Sequence, residues 1–320
     1  MKCKNRFLAL CLSAALLAGC TAAPASVQET PPPAAAPSAA PEATPAATEA
    51  APSAAPLLSP EDTLTLDGST ACMPLMANVY AAAYGLSLED AETRVTSSRT
   101  DNAWNNLVSD KADLLLVYEP SEGAQAALDA GEVQLERTAI GRDALVFLKN
   151  SQNTVTSLTQ DELRGIYTGA VTNWKELGGP DTEIAPFQRN TDSGSQTMFL
   201  KLLMQGQTPM DPPTELVSGG MDSLLESVAG YDNGPGAIGY SVYYYAAKMM
   251  ATPGIALLDV DGVAATDASI ADGSYPFTND FYAAIRADAP EDSPARILYN
   301  WLQTDAGKLM ISGAGYVAAE

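Results

Sequence analysis

From about residue 61 onward, short continuous apolar runs alternate with segments whose apolar residues recur at helical spacing. A run of four to six apolar residues reads as a strand covered on both faces, whereas a 3.6-residue period reads as an amphipathic helix. Residues 113–118 and 144–148 are such runs, the latter reading as a buried parallel strand, and Thr63-Leu64-Thr65-Leu66 (residues 63–66) reads as a short strand. Helical stretches are expected at 74–84, 102–109 and 195–204, with Met198, Phe199, Leu202 and Leu203 on one face of the last. Thr159-Gln160-Asp161-Glu162 has the form of a capping box opening a short helix that ends near Gly169. Ser293-Pro294 starts another, with Ile297, Leu298, Trp301 and Leu302 toward a core. Strands alternating with helices predict an α/β fold with parallel-rich sheets. No internal repeat is visible.

The first 60 residues obey different rules. Lys2, Lys4 and Arg6 precede the apolar run 7–17, far shorter than the roughly 20 residues a spanning helix needs. The run ends in Leu17-Ala18-Gly19-Cys20, which resembles a bacterial lipobox; residues 1–19 would be the leader and Cys20 the lipid-bearing residue. Residues 20–60 then carry the lipidated Cys and a tether almost entirely of Ala, Pro, Ser, Thr and Glu, with no apolar face to bury. Its prolines favour extended stretches of roughly 3 Å per residue, suited to holding a folded part away from a membrane.

Composition removes several function classes. The chain of 320 residues holds 17 Lys+Arg against 39 Asp+Glu, a formal charge of −22, which becomes −25 once the three cations of the leader are removed. Nucleic acid is thereby excluded as a partner, since phosphate-backbone affinity needs clustered Lys and Arg. There is no His, so Ser-His-Asp hydrolysis and His-based metal sites are ruled out. The cysteines at 3, 11, 20 and 72 form no CxxC pair, and only Cys20 and Cys72 would survive cleavage. No SxxK or GxSxG nucleophile motif occurs, so no enzyme is expected, and no cofactor. Cys72 reads as a small buried hydrophobe rather than a reactive thiol, Trp104, Trp174 and Trp301 as core, and the tyrosines of 240–245 as packed.

Three strand-to-helix turns are rich in small hydroxyl residues: Gly68-Ser69-Thr70, Ser97-Ser98-Arg99-Thr100 with Thr100 as N-cap, and Arg189-Asn190-Thr191-Asp192-Ser193-Gly194-Ser195. A helix N-terminus offers free N–H groups and partial positive charge to an oxyanion. Hydroxyls add donors, and an Arg adds a planar bidentate fork. Each turn alone reads more readily as a plain helix cap, and the joint occurrence of three, with a single Arg in one of them, brings the two readings into balance.

The order of motifs tips that balance. Residues 141–148 (Gly-Arg-Asp-Ala-Leu-Val-Phe-Leu), Val155-Thr156-Ser157-Leu158-Thr159, Ile166-Tyr167-Thr168-Gly169 and Thr172-Asn173-Trp174-Lys175 follow one another as in the phosphate-binding PstS proteins. Arg189…Ser193-Gly194-Ser195 resembles the RxxxSG(S/T) phosphate loop of that family, and residues 234–240 and 313–317 are similar too, so that the likeness covers about 64–318. It implies a two-lobed type II periplasmic-binding-protein fold with two crossing strands, lobe I from 61–139 plus 276–320 and lobe II from 140–275, the second crossing at Tyr275-Pro276-Phe277-Thr278. It implies phosphate contacts from Ser69, Thr70, Thr100, Arg189, Ser193, Gly194 and Ser195, with Arg189 the one cation touching the ligand. Glu119 stands near the position of an Asp that accepts the proton of bound phosphate in this family, and is expected to exclude sulfate. The chain departs from the family in having Thr191 where an Asp usually braces the Arg, and in Ala71 and Cys72.

The implied function is that of a membrane-anchored, extracytoplasmic, monomeric receptor delivering inorganic phosphate to the permease and ATPase of an ABC importer. The alternative is a surface adhesin or sensor reusing the fold, or a receptor for another oxyanion.

Overall fold

The computed structural model describes residues 55–232 and 234–319, so the leader, Cys20 and most of the tether lie outside the described residues. The chain opens with strand β1 (Leu66–Gly68), then helices α1 (Met73–Tyr84), α2 (Leu88–Glu92) and α3 (Thr100–Val108). Strand β2 (Leu114–Val117) and helix α4 (Glu122–Ala130) lead into the long strand β3 (Leu135–Asn150). Next come β4 (Ser157–Leu158), α5 (Gln160–Tyr167), β5 (Ala185–Pro186), β6 (Gln188–Arg189) and α6 (Gly194–Met198). Then follow β7 (Val217–Ser218), α7 (Met221–Ala229), β8 (Ala237–Val242), β9 (Ile255–Val260) and α8 (Asp267–Ala271). The chain closes with β10 (Thr278–Arg286), α9 (Pro294–Leu302), α10 (Asp305–Gly313) and β11 (Val317–Ala318).

Strand β3 organises the molecule because its two halves pair with different partners. Up to Ala144 it runs antiparallel to β10, which in turn pairs with β2 and through it with β1. From Leu145 onward it runs antiparallel to β8 and β9. The chain returns beside the changeover point: Leu145 donates its N–H to the Phe277 carbonyl at 2.9 Å, and the Tyr275 hydroxyl donates to the Leu145 carbonyl at 3.2 Å. The two crossing strands expected from the sequence are therefore present.

One expectation needs correction. Residues 144–148 are fully buried but pair antiparallel, not parallel, with their neighbours. A continuous apolar run reports two covered faces, and it carries no information about partner direction. Parallel pairing is found instead between β1 and β2, β5 and β8, β4 and β9, and β6 and β7.

Local signals behaved as physics requires. The Thr159 hydroxyl accepts from Glu162 N–H at 3.2 Å and the Glu162 carboxylate accepts from Thr159 N–H at 2.8 Å, closing the capping box of α5. The Ser293 hydroxyl accepts from Arg296 N–H at 3.3 Å, with Pro294 at the first helical position of α9. The stretch after Ser195 is helical but not uniform, α6 widening into a π-type winding over Phe199–Met204. Trp104 and Trp174 are buried, Trp301 half-buried, and Tyr240 stacks on Phe199 with ring centroids 4.4 Å apart.

Candidate functional site

Asp67, at the centre of β1, organises the first two hydroxyl-rich turns. One carboxylate oxygen accepts from its own neighbour Gly68 N–H at 2.7 Å and from Ser98 N–H at 2.8 Å, and the other from the Asn106 amide at 2.8 Å. The Ser97 hydroxyl donates to the Gly68 carbonyl at 2.7 Å, closing the turns on each other. Gly68 is obligatory there, since a Cβ would lie 1.9 Å from the Leu116 carbonyl oxygen of the adjoining strand. On this frame the hydroxyls of Ser69 and Thr100 sit 2.9 Å apart, and Ser69 also accepts from Tyr118 N–H at 3.1 Å.

Thr100 is the first residue of α3, and the cap position belongs to Arg99, one residue earlier than expected. Arg99 has φ 70° and ψ 173°, a region that essentially only glycine enters freely and that costs about 1–3 kcal/mol. The Ser97 hydroxyl, which accepts from Arg99 N–H at 3.2 Å, and the first turn of α3, where the Arg99 carbonyl accepts from Ala103 N–H at 2.9 Å, hold it there.

The third turn follows β6. Arg189 donates its backbone N–H to the Tyr240 hydroxyl at 3.0 Å and its Nε–H to the Ser218 carbonyl at 3.1 Å, so its backbone and the Nε of its guanidinium are both positioned. Tyr240 in turn donates to the Gln196 amide oxygen. The Ser193 and Ser195 hydroxyls lie 2.9 Å apart at the start of α6. A Cβ on Gly194 would come within 2.6 Å of Thr100 Oγ1, so glycine lets the third turn close against the second.

These turns enclose a cavity of about 180 Å³ whose lining includes Ser69, Thr70, Thr100, Arg189, Ser193, Gly194 and Ser195. The arrangement is rich in donors. Arg189 is only 6 % exposed, and among the described residues no carboxylate lies within ion-pair distance of it. Burial holds its guanidinium below the usual value, with the neighbouring charge of Arg99 acting in the same direction against the opposing Tyr240, Asp192 and Asp222. A buried cation without a partner is costly, and an anion in the cavity would relieve that cost.

Glu119 is placed elsewhere. It does not line the cavity; its carboxylate lies 2.5 Å from Lys201 Nζ and accepts from the Tyr282 hydroxyl at 3.2 Å. Successive residues of an extended segment point to opposite sides, and here Tyr118 takes the cavity side. The expectation that Arg189 is the one cation at the site also needs revision, because Arg99 lines the same cavity. Sequence reasoning missed Tyr118, Asp222 and Tyr245 as well, all three in the lining. Gly219-Gly220 ahead of a helix was the available signal for Asp222; nothing in the sequence pointed to Tyr245.

Cys72 is fully buried, and burial raises its thiol well above the ordinary value, as suits a packing residue. No described helix is long and apolar enough to cross a membrane.

Comparison with known proteins assigns the fold to a family. The model of the PBP superfamily domain matches residues 38–303. The phosphate-binding protein PstS of Bacillus subtilis (strain 168) is 29 % identical over 262 residues, covering 80 % of each chain. An ABC-type phosphate transport receptor from Vibrio cholerae has a similar structure, with TM-score 0.59 and 23 % identity over 80 % of this chain and 99 % of that one. A phosphate-binding protein from Stenotrophomonas maltophilia shares the fold at TM-score 0.56 and 12 % identity, over 81 % of this chain and 91 % of that one.

Proposed function

The chain belongs to the PBP superfamily, and from that premise we propose that it is a solute receptor that captures inorganic phosphate for an ABC importer. The observation that carries this reading is Arg189, buried and without an ion-pair partner among the described residues, facing a cavity lined by the hydroxyls of Ser69, Thr70, Thr100, Ser193 and Ser195. Such a site matches a tetrahedral oxyanion: a planar fork for two oxygens, and hydroxyl and N–H donors for the others. Binding, and not catalysis, is the role of this group of residues. The four transport-related elements of the reading go together. The lobes are 61–139 plus 276–320 and 140–275, the ligand is held between them, Cys20 carries the lipid on the extracytoplasmic face, and the monomeric receptor hands phosphate to the permease and ATPase.

Calorimetric titration of the purified chain with inorganic phosphate tests the reading, together with Arg189→Ala. Losing a desolvated charge-assisted pair costs about 3 kcal/mol, or ~100-fold in affinity. Absence of phosphate binding by the unaltered chain would overturn the function. An unchanged affinity in the variant would remove Arg189 from the site.

A further inference from the structure

Two cations line the anion cavity, and they stand in different surroundings. Arg189 is buried, with its Nε–H tied to the Ser218 carbonyl. Arg99 is exposed while lining the same cavity, which places it at the border between cavity and solvent. Among the described residues its guanidinium has no ion pair within 4 Å, and the only hydrogen bonds of Arg99 are those of its backbone. The nearest carboxylate along the chain is engaged elsewhere: Asp101 accepts from Ser121 N–H at 2.9 Å and from the Ser121 hydroxyl at 2.6 Å. The charge of Arg99 is nonetheless felt inside the site, where it acts with burial to lower the Arg189 guanidinium.

The backbone supplies a second observation. Arg99 occupies φ 70° and ψ 173°, a conformation natural to glycine, so glycine would hold this turn with less strain. The arginine side chain offers the fold no hydrogen bond or ion pair in return. What it adds is a free positive charge at the cavity mouth. That charge counts for more in a chain of formal charge −22, whose overall field opposes the approach of any anion.

We propose that Arg99 is the capture residue of this site, an exposed cation that draws the incoming anion past the protein's negative field and delivers it to the buried fork of Arg189. The assignment rests on the phosphate reading and goes beyond it by dividing the work between two arginines: Arg189 holds the anion, and Arg99 sets its rate of arrival. Because Arg99 is open to solvent, its contribution is screened by salt, whereas that of the buried Arg189 is screened far less.

The test is rapid-mixing kinetics of the full chain with inorganic phosphate at ionic strengths of about 0.01 M and 1 M, where the Debye length is about 30 Å and 3 Å. Arg99→Gln removes the charge and should slow association about tenfold at the lower ionic strength, the low end of the range for steered binding. Its dissociation rate should stay close to that of the unaltered chain. At the higher ionic strength the two proteins should associate alike. Arg99→Lys keeps the charge and should associate nearly as fast as the unaltered chain. Arg99→Gly should slow association as Arg99→Gln does while raising the urea midpoint, which separates the charge from the strain that carries it. Equal association rates for the unaltered chain and Arg99→Gln at low ionic strength would overturn the proposal and leave phosphate capture standing. A loss of affinity carried by faster dissociation, equal at both ionic strengths, would make Arg99 a holding contact and overturn it too. An unaltered chain that binds no phosphate brings down the phosphate reading and the proposal with it.

Discussion

The Tyr118 hydroxyl donates to Asp143 Oδ2 at 2.6 Å, joining the wall of the anion cavity to the one strand that pairs with both halves of the fold. Asp143 Oδ1 accepts from Ala144 N–H at 2.7 Å and from Tyr244 N–H, beyond β8, at 3.1 Å. A fully buried carboxylate therefore ties three separate segments together at the changeover point of β3.

Burial pushes the Asp143 carboxyl up to about 6, against the opposing pull of its three hydrogen bonds. Because the folded value lies above the unfolded one near 3.8, the native state binds the extra proton between about pH 4 and pH 6. This group therefore makes the protein less stable as pH rises through that window, by on the order of 3 kcal/mol in total. Asp143→Asn retains an oxygen for the two backbone N–H groups and has no charge to bury. Its urea midpoint should vary less between pH 4 and pH 6 than that of the unaltered chain. Parallel pH curves for the two proteins would show that Asp143 does not titrate in this window.

Glu119 makes a contrasting prediction. Its ion pair with Lys201 is partly open to solvent, the two side chains being 23 % and 51 % exposed, and pairs of this kind contribute at most about 1 kcal/mol. Glu119→Gln should lower stability by no more than that and leave the phosphate-to-sulfate ratio as it was. Anion titration beside a urea melt measures both, and a changed ratio would return Glu119 to the site.

The difference between Glu119 and its neighbour marks how far the sequence could be read. The three turns were legible because helix caps and small hydroxyl residues are local signals, and the capping box at Thr159 and the proline start at Pro294 were legible for the same reason. Which of two consecutive residues faces the cavity is a matter of strand phase, and a shift of one residue reverses it, so Tyr118 took the place expected of Glu119. Arg99 was hidden differently. Its cap position has a positive φ that residue type would assign to glycine, and it is held by the Ser97 hydroxyl, the first turn of α3 and the packing of its turn against Asp67 and Gly68. Asp222 lies outside the three turns and reaches the site through the fold.

The anchor is tested separately, since Cys20 lies outside the described residues. One acyl chain gives only marginal membrane binding, so a stably anchored receptor requires multiple acylation. Cys20→Ala should move the protein from the membrane fraction to the medium or periplasm, with the anion affinity of the chain unchanged. Mass spectrometry that finds an unmodified mature N-terminus at another residue would disprove the anchor.

Gly194 and Thr100 offer a test of the cavity's construction. A methyl group on Gly194 would press to 2.6 Å against Thr100 Oγ1, and that hydroxyl is held by Ser69 at 2.9 Å, so it cannot turn aside without breaking a bond. Gly194→Ala should therefore weaken phosphate binding by roughly tenfold or more, a loss of about 1.4 kcal/mol. Thr100→Ala removes one hydroxyl partner and should cost about 1 kcal/mol by itself. Once Oγ1 is gone the added methyl has room, so the double variant should bind more tightly than the sum of the two losses allows. Residues in contact give coupling of about 0.5–3 kcal/mol in such a cycle, whereas independent ones add. Strict additivity in phosphate titrations of the four proteins would mean that the second and third turns do not meet across the ligand, and the enclosed cavity would have to be abandoned in favour of two separate anion contacts.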